Sequence, residues 1–368
     1  MRWPRLLHVG LWAAVVTSST SCQTATSAEV SWFAEQAAGQ AQLLTASQPV
    51  QPLLDDDDLH PDVRRRLQLV QAARDFAKHD LGLNVGKQYE QVTFIDGPAV
   101  VYVVTAAPRT SLQPHLWEYP VLGALPYRGH YDLDKAEAHA QELLARGDLD
   151  VDVRPVPTYS LLGILPDPIV STMLFTSDAS YLVETVIHEL AHATVFSSSA
   201  GSFNEGLATF IGREGSRAFV RRHYGEHSAI YQRMQQVRRD RSVYARAVSA
   251  LSFDLRLLFA RTDLDDDARM HEKDRIFWQH QRHYTTEIAP TMQTTWLRRA
   301  RLPDNNAEIA AYGIYSLAQD TYEGAFAACN EDWRCFLELL RAAANDDAPE
   351  LSLDKRARAL TPALQVLQ

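Results

Sequence analysis

At 368 residues, 46% of them hydrophobic and 22% charged, the chain can bury a substantial core, which excludes disorder as its default state. Acidic residues outnumber basic ones, 46 to 36, for a formal charge of -10, so a nucleic-acid partner is excluded on electrostatic grounds.

Residues 1–22 read as a secretory signal: Arg2 and Arg5, an apolar stretch from Leu6 to Val16, then small polar residues ending at Ser21 and Cys22. The apolar part is too short to span a bilayer, and no later segment reaches the ~18 apolar residues a span needs. Cys22 after small residues fits bacterial lipoprotein processing, which would make a lipid at Cys22 the chain's one membrane contact. Ser19, where an apolar residue is usual, keeps an ordinary cleaved signal as the alternative. The expected location is the cell envelope, facing the periplasm. Oligomeric state is not encoded in any recognisable pattern.

Apolar residues recur at helical spacing from Glu29 to Ser47 and from Pro61 to Leu81, so 23–85 is expected as an N-terminal helical region. The four aspartates Asp55 to Asp58 between these stretches read as a solvated loop. From Gln91 to Val104 the pattern turns β-branched, and strand candidates follow at Tyr119 to Leu125 and Val151 to Val156, with a helix between them over Asp134 to Arg146. This is the expected mixed α/β lobe, 86–165. The Pro-rich stretch Pro155 to Pro168 marks a junction, and 166–368 is expected as a helical lobe, with long helical stretches over Ala218 to Ala260 and Glu308 to Ala344. The fold class is therefore α+β, a small mixed sheet lobe followed by a mainly helical one. Cys329 and Cys335 could bridge only if a turn falls near Asn330 to Asp332, the alternative being two buried thiols.

The chemistry concentrates in Glu184-Thr-Val-Ile-His188-Glu189-Leu-Ala-His192, on a helix apolar around much of its girth. His188 and His192, one turn apart, project from one face and can reach one zinc ion (Zn2+), while Glu189 beside them can act as general base on a water. Two unpaired imidazoles and a carboxylate would be costly to bury together without a metal. A third ligand is offered by Glu205 in Gly201-Ser202-Phe203-Asn204-Glu205-Gly206-Leu207-Ala208. Its rival role is the Ser-x-x-Glu capping box with Ser202. The cap accounts for neither Asn204 nor the small residues Gly206 and Ala208. A metzincin site is excluded, because Val195 and Ser198 stand where that pattern needs glycine and histidine.

Glu214 is a weaker ligand candidate, and Glu184 could orient a ligand or simply carry surface charge. Tyr312, Tyr315, His223 and His227 are candidate oxyanion donors, each with packing or surface exposure as the competing role. Asp167 or Glu184 could pair with a substrate's ammonium, although Asp167 before Pro168 also reads as a turn residue.

With these residues in view, the chain resembles a bacterial aminopeptidase family of predicted envelope lipoproteins that carries His-Glu-x-x-His followed by Asn-Glu-x-x-Ala, here His188 to His192 and Asn204 to Ala208. The resemblance includes Gly39-Gln40, Trp117 to Tyr131, Tyr159 to Leu174 and Asn305 to Ala307, most of the mature chain. It implies a gluzincin-type zincin fold, zinc on His188, His192 and Glu205, catalysis by Glu189 and a peptide substrate. The Gly-x-Met-Glu-Asn segment by which large zinc aminopeptidases hold a free amine is absent, so endopeptidase action and a catalytically idle, envelope-anchored binding protein stand as alternatives.

Overall fold

A computed structural model describes residues 27–119, 123–157, 166–175, 179–197, 200–316 and 319–365. The signal with Ser19 and Cys22 lies outside the described residues, as do Ser198 and most of the Pro-rich junction. The chain divides after Gln42 into two units. Helix α1 (Ser27–Thr45) carries the described part of the first, where helical spacing predicted it.

Strand β1 (Gln48–Pro49), which the sequence did not suggest, and the short α2 (Val50–Leu54) precede α3 (Pro61–His79). The start of α3 is set by Pro61 at its first position and by the His60 ring, which accepts the Asp62 N–H at 3.2 Å. Asp62 in its first turn and Lys78 and His79 in its last complement the helix dipole. Asp55 to Asp58 form the exposed loop between α2 and α3.

The β-branched run from Gln91 to Val104 is not one strand. It divides into β2 (Gln91–Thr93) and β3 (Val101–Pro108), because Asp96-Gly97-Pro98 has turn chemistry and Pro98 lacks an amide hydrogen. There follow β4 (Trp117–Tyr119), β5 (Gly123–Leu125), β6 (Arg128–His130), α4 (Leu133–Leu144), β7 (Leu149–Val156) and β8 (Ile169–Val170). Strand β3 is the centre of one antiparallel sheet, in the order β6-β3-β7, with Val103 opposite both Gly129 and Arg154. Strand β2 is the centre of another, antiparallel to β1 and parallel to β8, while β4 and β5 pair with each other.

Helices dominate thereafter: α5 (Ser171–Leu174), α6 (Ala179–His192), α7 (Gly201–Tyr224), α8 (Ala229–Phe259), α9 (Asp266–His283), α10 (Thr295–Arg299), α11 (Asn306–Ser316), α12 (Gln319–Ala328), α13 (Trp333–Ala344) and α14 (Pro349–Gln365). This is the α+β class expected. The long stretch over 218–260 is broken at Gly225, whose φ of +82° an L side chain rarely adopts. Asn330 and Glu331, both at positive φ, make the turn between α12 and α13 that lets Cys329 and Cys335 form a disulfide. One core joins α3, β2, α6, α7, α12, α13 and α14, and a second joins α8, α9, α10 and α11.

Candidate metal centre

Helix α6 is buried on most sides: Leu182, Val183, Val186, Ile187, Leu190 and Ala191 are each at most 1% exposed. Burying such aliphatic side chains is worth roughly 1.5–3 kcal/mol for each large one, which fixes the helix about its own axis. Its partner α7 returns antiparallel and very close. A Cβ added at Gly212 would lie 2.8 Å from the Glu184 carbonyl oxygen and 3.1 Å from the His188 Cβ, so only glycine permits this approach. The connection between the helices is closed by Asn204, whose Oδ1 accepts the Ser197 N–H at 2.8 Å and whose Nδ2 donates to the Ser197 carbonyl at 2.7 Å. This accounts for the asparagine beside Glu205. At the same C-terminal end of α6, the Asn84 N–H donates to Thr194 Oγ1 at 2.9 Å and Asn84 Nδ2 to the Ala193 carbonyl at 3.2 Å.

The hairpin brings His188, His192 and Glu205 together, with one donor atom from each lying within 4.8 Å of the others, so that the group could hold a metal ion. Glu205 Oε2 stands 3.5 Å from His188 Nε2 and 3.7 Å from His192 Nε2. Both distances are long for N–H···O hydrogen bonds. Two donors each about 2.0–2.1 Å from a tetrahedrally coordinated ion are themselves roughly 3.3 Å apart, so the spacing fits ligands around a shared ion better than a hydrogen-bonded cluster. His192 and Glu205 are 3% and 8% exposed. The capping box is not formed. Helix α7 begins at Gly201, so Ser202 lies inside it, and Ala200 at the N-cap makes no side-chain bond.

The electrostatics distinguish the three groups. Burial works against the Glu205 carboxylate, but His192 and His188 outweigh it and hold the carboxyl below its usual range. Burial likewise opposes a charge on His188, yet the nearby Glu205 carboxylate and the charges of Glu189 and Glu184 raise its pKa. Burial, helped by His188, pushes His192 down to about 4 against the pull of Glu205. A carboxylate and two imidazoles thus stand together as possible donors, and metal binding would require both imidazoles in their neutral form. Glu189 follows His188 directly and is half-buried.

The remaining candidates separate. Glu214 is not in the group: its carboxylate is held by Arg217 at 2.7 Å and Arg238 at 3.1 Å. Glu184 accepts two bonds from Arg241, at 2.9 and 3.0 Å, and is neither a plain surface charge nor a ligand. His223 stacks on Phe219 with ring centroids 4.1 Å apart and bonds the Phe219 carbonyl, His227 is exposed, and Tyr312 packs edge-on to Tyr244. The side chain of Tyr315 lies outside the described residues. Asp167 is buried, its carbonyl accepting the Tyr89 N–H at 2.9 Å and its N–H donating to Gln88 Oε1.

Tyr89 escaped the sequence reading. It is 3% exposed and holds a left-handed φ of +63°, costly for an aromatic residue, with its carbonyl bonded by Gln71 at 2.9 Å. Burial and the charges of Glu189 and Asp167 raise the pKa of its phenol. No sequence signal marks a tyrosine for such a position.

Fold and site together define an α+β protein with a buried two-histidine, one-carboxylate group capable of holding a metal. The chain belongs to the family described as "Putative aminopeptidase", whose model matches residues 31–354. No curated protein and no solved structure matches it.

Proposed function

We propose that the protein is a zinc-dependent aminopeptidase of the gluzincin type. The observation that carries this reading is the convergence of His188, His192 and Glu205 at hairpin distances that suit one tetrahedral ion, with Glu189 adjacent to His188. Two imidazoles and one carboxylate with a position left for solvent is the donor set of catalytic zinc. A bound zinc ion would supply Lewis acidity toward the scissile carbonyl and toward a water molecule.

The chain's own residues do the rest. Glu189 takes a proton from the attacking water and delivers it to the departing amine, so no covalent enzyme intermediate is needed. Buried Tyr89 lies within the electrostatic reach of Glu189. Of the two acids considered for a substrate's ammonium, Glu184 is taken up by Arg241. Membership of the aminopeptidase family favours removal of N-terminal residues over internal cutting. We further propose export, with a lipid on Cys22 as the only membrane contact. The Cys329–Cys335 disulfide supports an oxidising compartment.

The test is Glu189→Gln. The variant should keep stoichiometric zinc and lose hydrolysis by about 10²–10⁴-fold. A peptide mixture incubated with zinc-loaded wild type and read by mass spectrometry should show trimming from N-termini. Internal cuts would select the endopeptidase alternative, and wild-type turnover by Glu189→Gln would remove the mechanism.

A further inference from the structure

We propose that Arg213 and Arg241, grouped one helical turn from His188, receive a carboxylate of the substrate, so that the site selects peptides carrying a negative charge close to the scissile bond. This rests on the peptidase reading above and adds to it the substrate class.

The argument begins with a charge imbalance. Glu184 lies one turn before His188 on α6, roughly 6 Å along the axis. Arg241 on α8 occupies both of its carboxylate oxygens. Arg213 follows Gly212, the residue of α7 packed against Glu184 and His188, and so borders the same spot. Its Nε is 3.9 Å from the Glu184 carboxylate, beyond hydrogen-bonding reach, and is buried with no hydrogen-bond partner among the described residues. Two guanidinium groups therefore share one carboxylate. Burial lowers the pKa of Arg213 and Glu184 only partly offsets it, while Arg241 and Arg238 add repulsion.

Neighbouring cations carry no such surplus. Arg217 and Arg238 share Glu214, and Arg238 also reaches Glu323 at 3.4 Å. The imbalance is local to Arg213 and Arg241, and it is open to solvent: their side chains are 40% and 26% exposed. Exposed Tyr181 and Trp296 lie in the same neighbourhood, with the Arg241 guanidinium 5.9 Å from the Trp296 ring centre. The partly exposed, forked guanidinium of Arg213, beside a partly apolar surface, suits a planar carboxylate better than a compact ammonium would. An extended peptide advances about 3.3–3.6 Å per residue, so the carboxylate would sit about two residues from the bond cleaved. Its source is either the C-terminus of a short peptide or an acidic side chain.

The experiment uses the zinc-loaded full chain and four peptides: an alanine tripeptide with a free C-terminus, its C-terminal amide, and amidated versions with glutamate or glutamine two residues past the scissile bond. Binding is measured by calorimetry in Glu189→Gln, and turnover in wild type. The carboxylate-bearing member of at least one pair should bind and turn over roughly tenfold better, mainly through KM. The pair that discriminates identifies the source. Arg213→Met should abolish the preference and Arg213→Lys should keep part of it. Equal binding within both pairs, or full discrimination retained by Arg213→Met, overturns the proposal. If nothing is hydrolysed while the binding preference holds, the peptidase reading fails and the carboxylate site stands.

Discussion

The α6/α7 hairpin and the α8–α11 region both bury charge, and they do so in opposite ways. In the second region Lys273, Asp240 and Glu308 each have matched partners. Lys273 donates to Asp150 at 2.5 Å and to the Arg109 carbonyl at 3.1 Å. Asp240 accepts the N–H groups of Gln293 and Thr294 at 2.9 and 2.6 Å, and Glu308 takes Arg301 in a two-pronged pair at 2.7 and 2.5 Å. In the hairpin Glu205 comes no nearer to His188 and His192 than 3.5 and 3.7 Å, and His192 Nδ1 is buried with no hydrogen-bond partner among the described residues. Short, complete partnerships hold a fold together, whereas donors that converge without meeting leave room for something else. The comparison teaches that burial of charge alone does not mark function; incomplete pairing around a common point does.

The sharpest way to break this contrast is to alter a converging donor. His192→Ala and Glu205→Gln should each lower zinc affinity by more than about 100-fold, measured by chelator competition, because two remaining protein ligands hold zinc poorly. Since no capping box involves Glu205, Glu205→Gln should leave the melting of the metal-free protein nearly unchanged. Wild-type affinity in both variants would mean that the three side chains meet for another reason.

The opposite pattern is expected in the second region. Lys273→Met leaves Asp150 buried with the Asn306 N–H at 2.9 Å and Arg109 at 4.0 Å as its remaining partners. Removing one member of a buried pair should cost about 3 kcal/mol, read by denaturant unfolding, without altering zinc affinity. A loss of zinc binding here would erase the distinction between the two regions.

The parts of this picture legible in the sequence are those fixed by covalent geometry along one helix. His188 and His192 share a face because four residues make about one turn. Helix α4 was marked by its apolar spacing, and the disulfide depended on a turn that Asn330 and Glu331 provide. What could not be read depends on contacts between distant segments. Glu184 looked available for a substrate's ammonium, and its neutralisation by Arg241 follows only from how α8 crosses α6. Tyr89 owes its place to the backbone bond with Asp167 and the bond from Gln71. The local Ser202-x-x-Glu205 pattern pointed to a cap that is not formed, because α7 already begins at Gly201.

The smallest expected effect tests whether the hairpin's close approach, as distinct from its ligands, matters to the metal. Gly212→Ala gains about 1 kcal/mol of helix propensity. Against this, its Cβ would meet the Glu184 carbonyl oxygen at 2.8 Å and the His188 Cβ at 3.1 Å, and neither can rotate away. Overpacking of this kind costs typically 1–3 kcal/mol, so the net loss should be about 1 kcal/mol. The strain falls on the backbone that carries His188, so zinc affinity should drop as well, by roughly tenfold. Gly215→Ala separates the two effects. Its Cβ would press on Leu81 Cδ1 at 2.8 Å and Ile187 Cγ2 at 2.9 Å, atoms of the apolar core with no ligand among them. It should lower the melting temperature by a similar amount and leave zinc affinity alone. If both variants lose stability and neither loses affinity, the ligand geometry tolerates a shift of the helices, and the hairpin's glycines serve packing only.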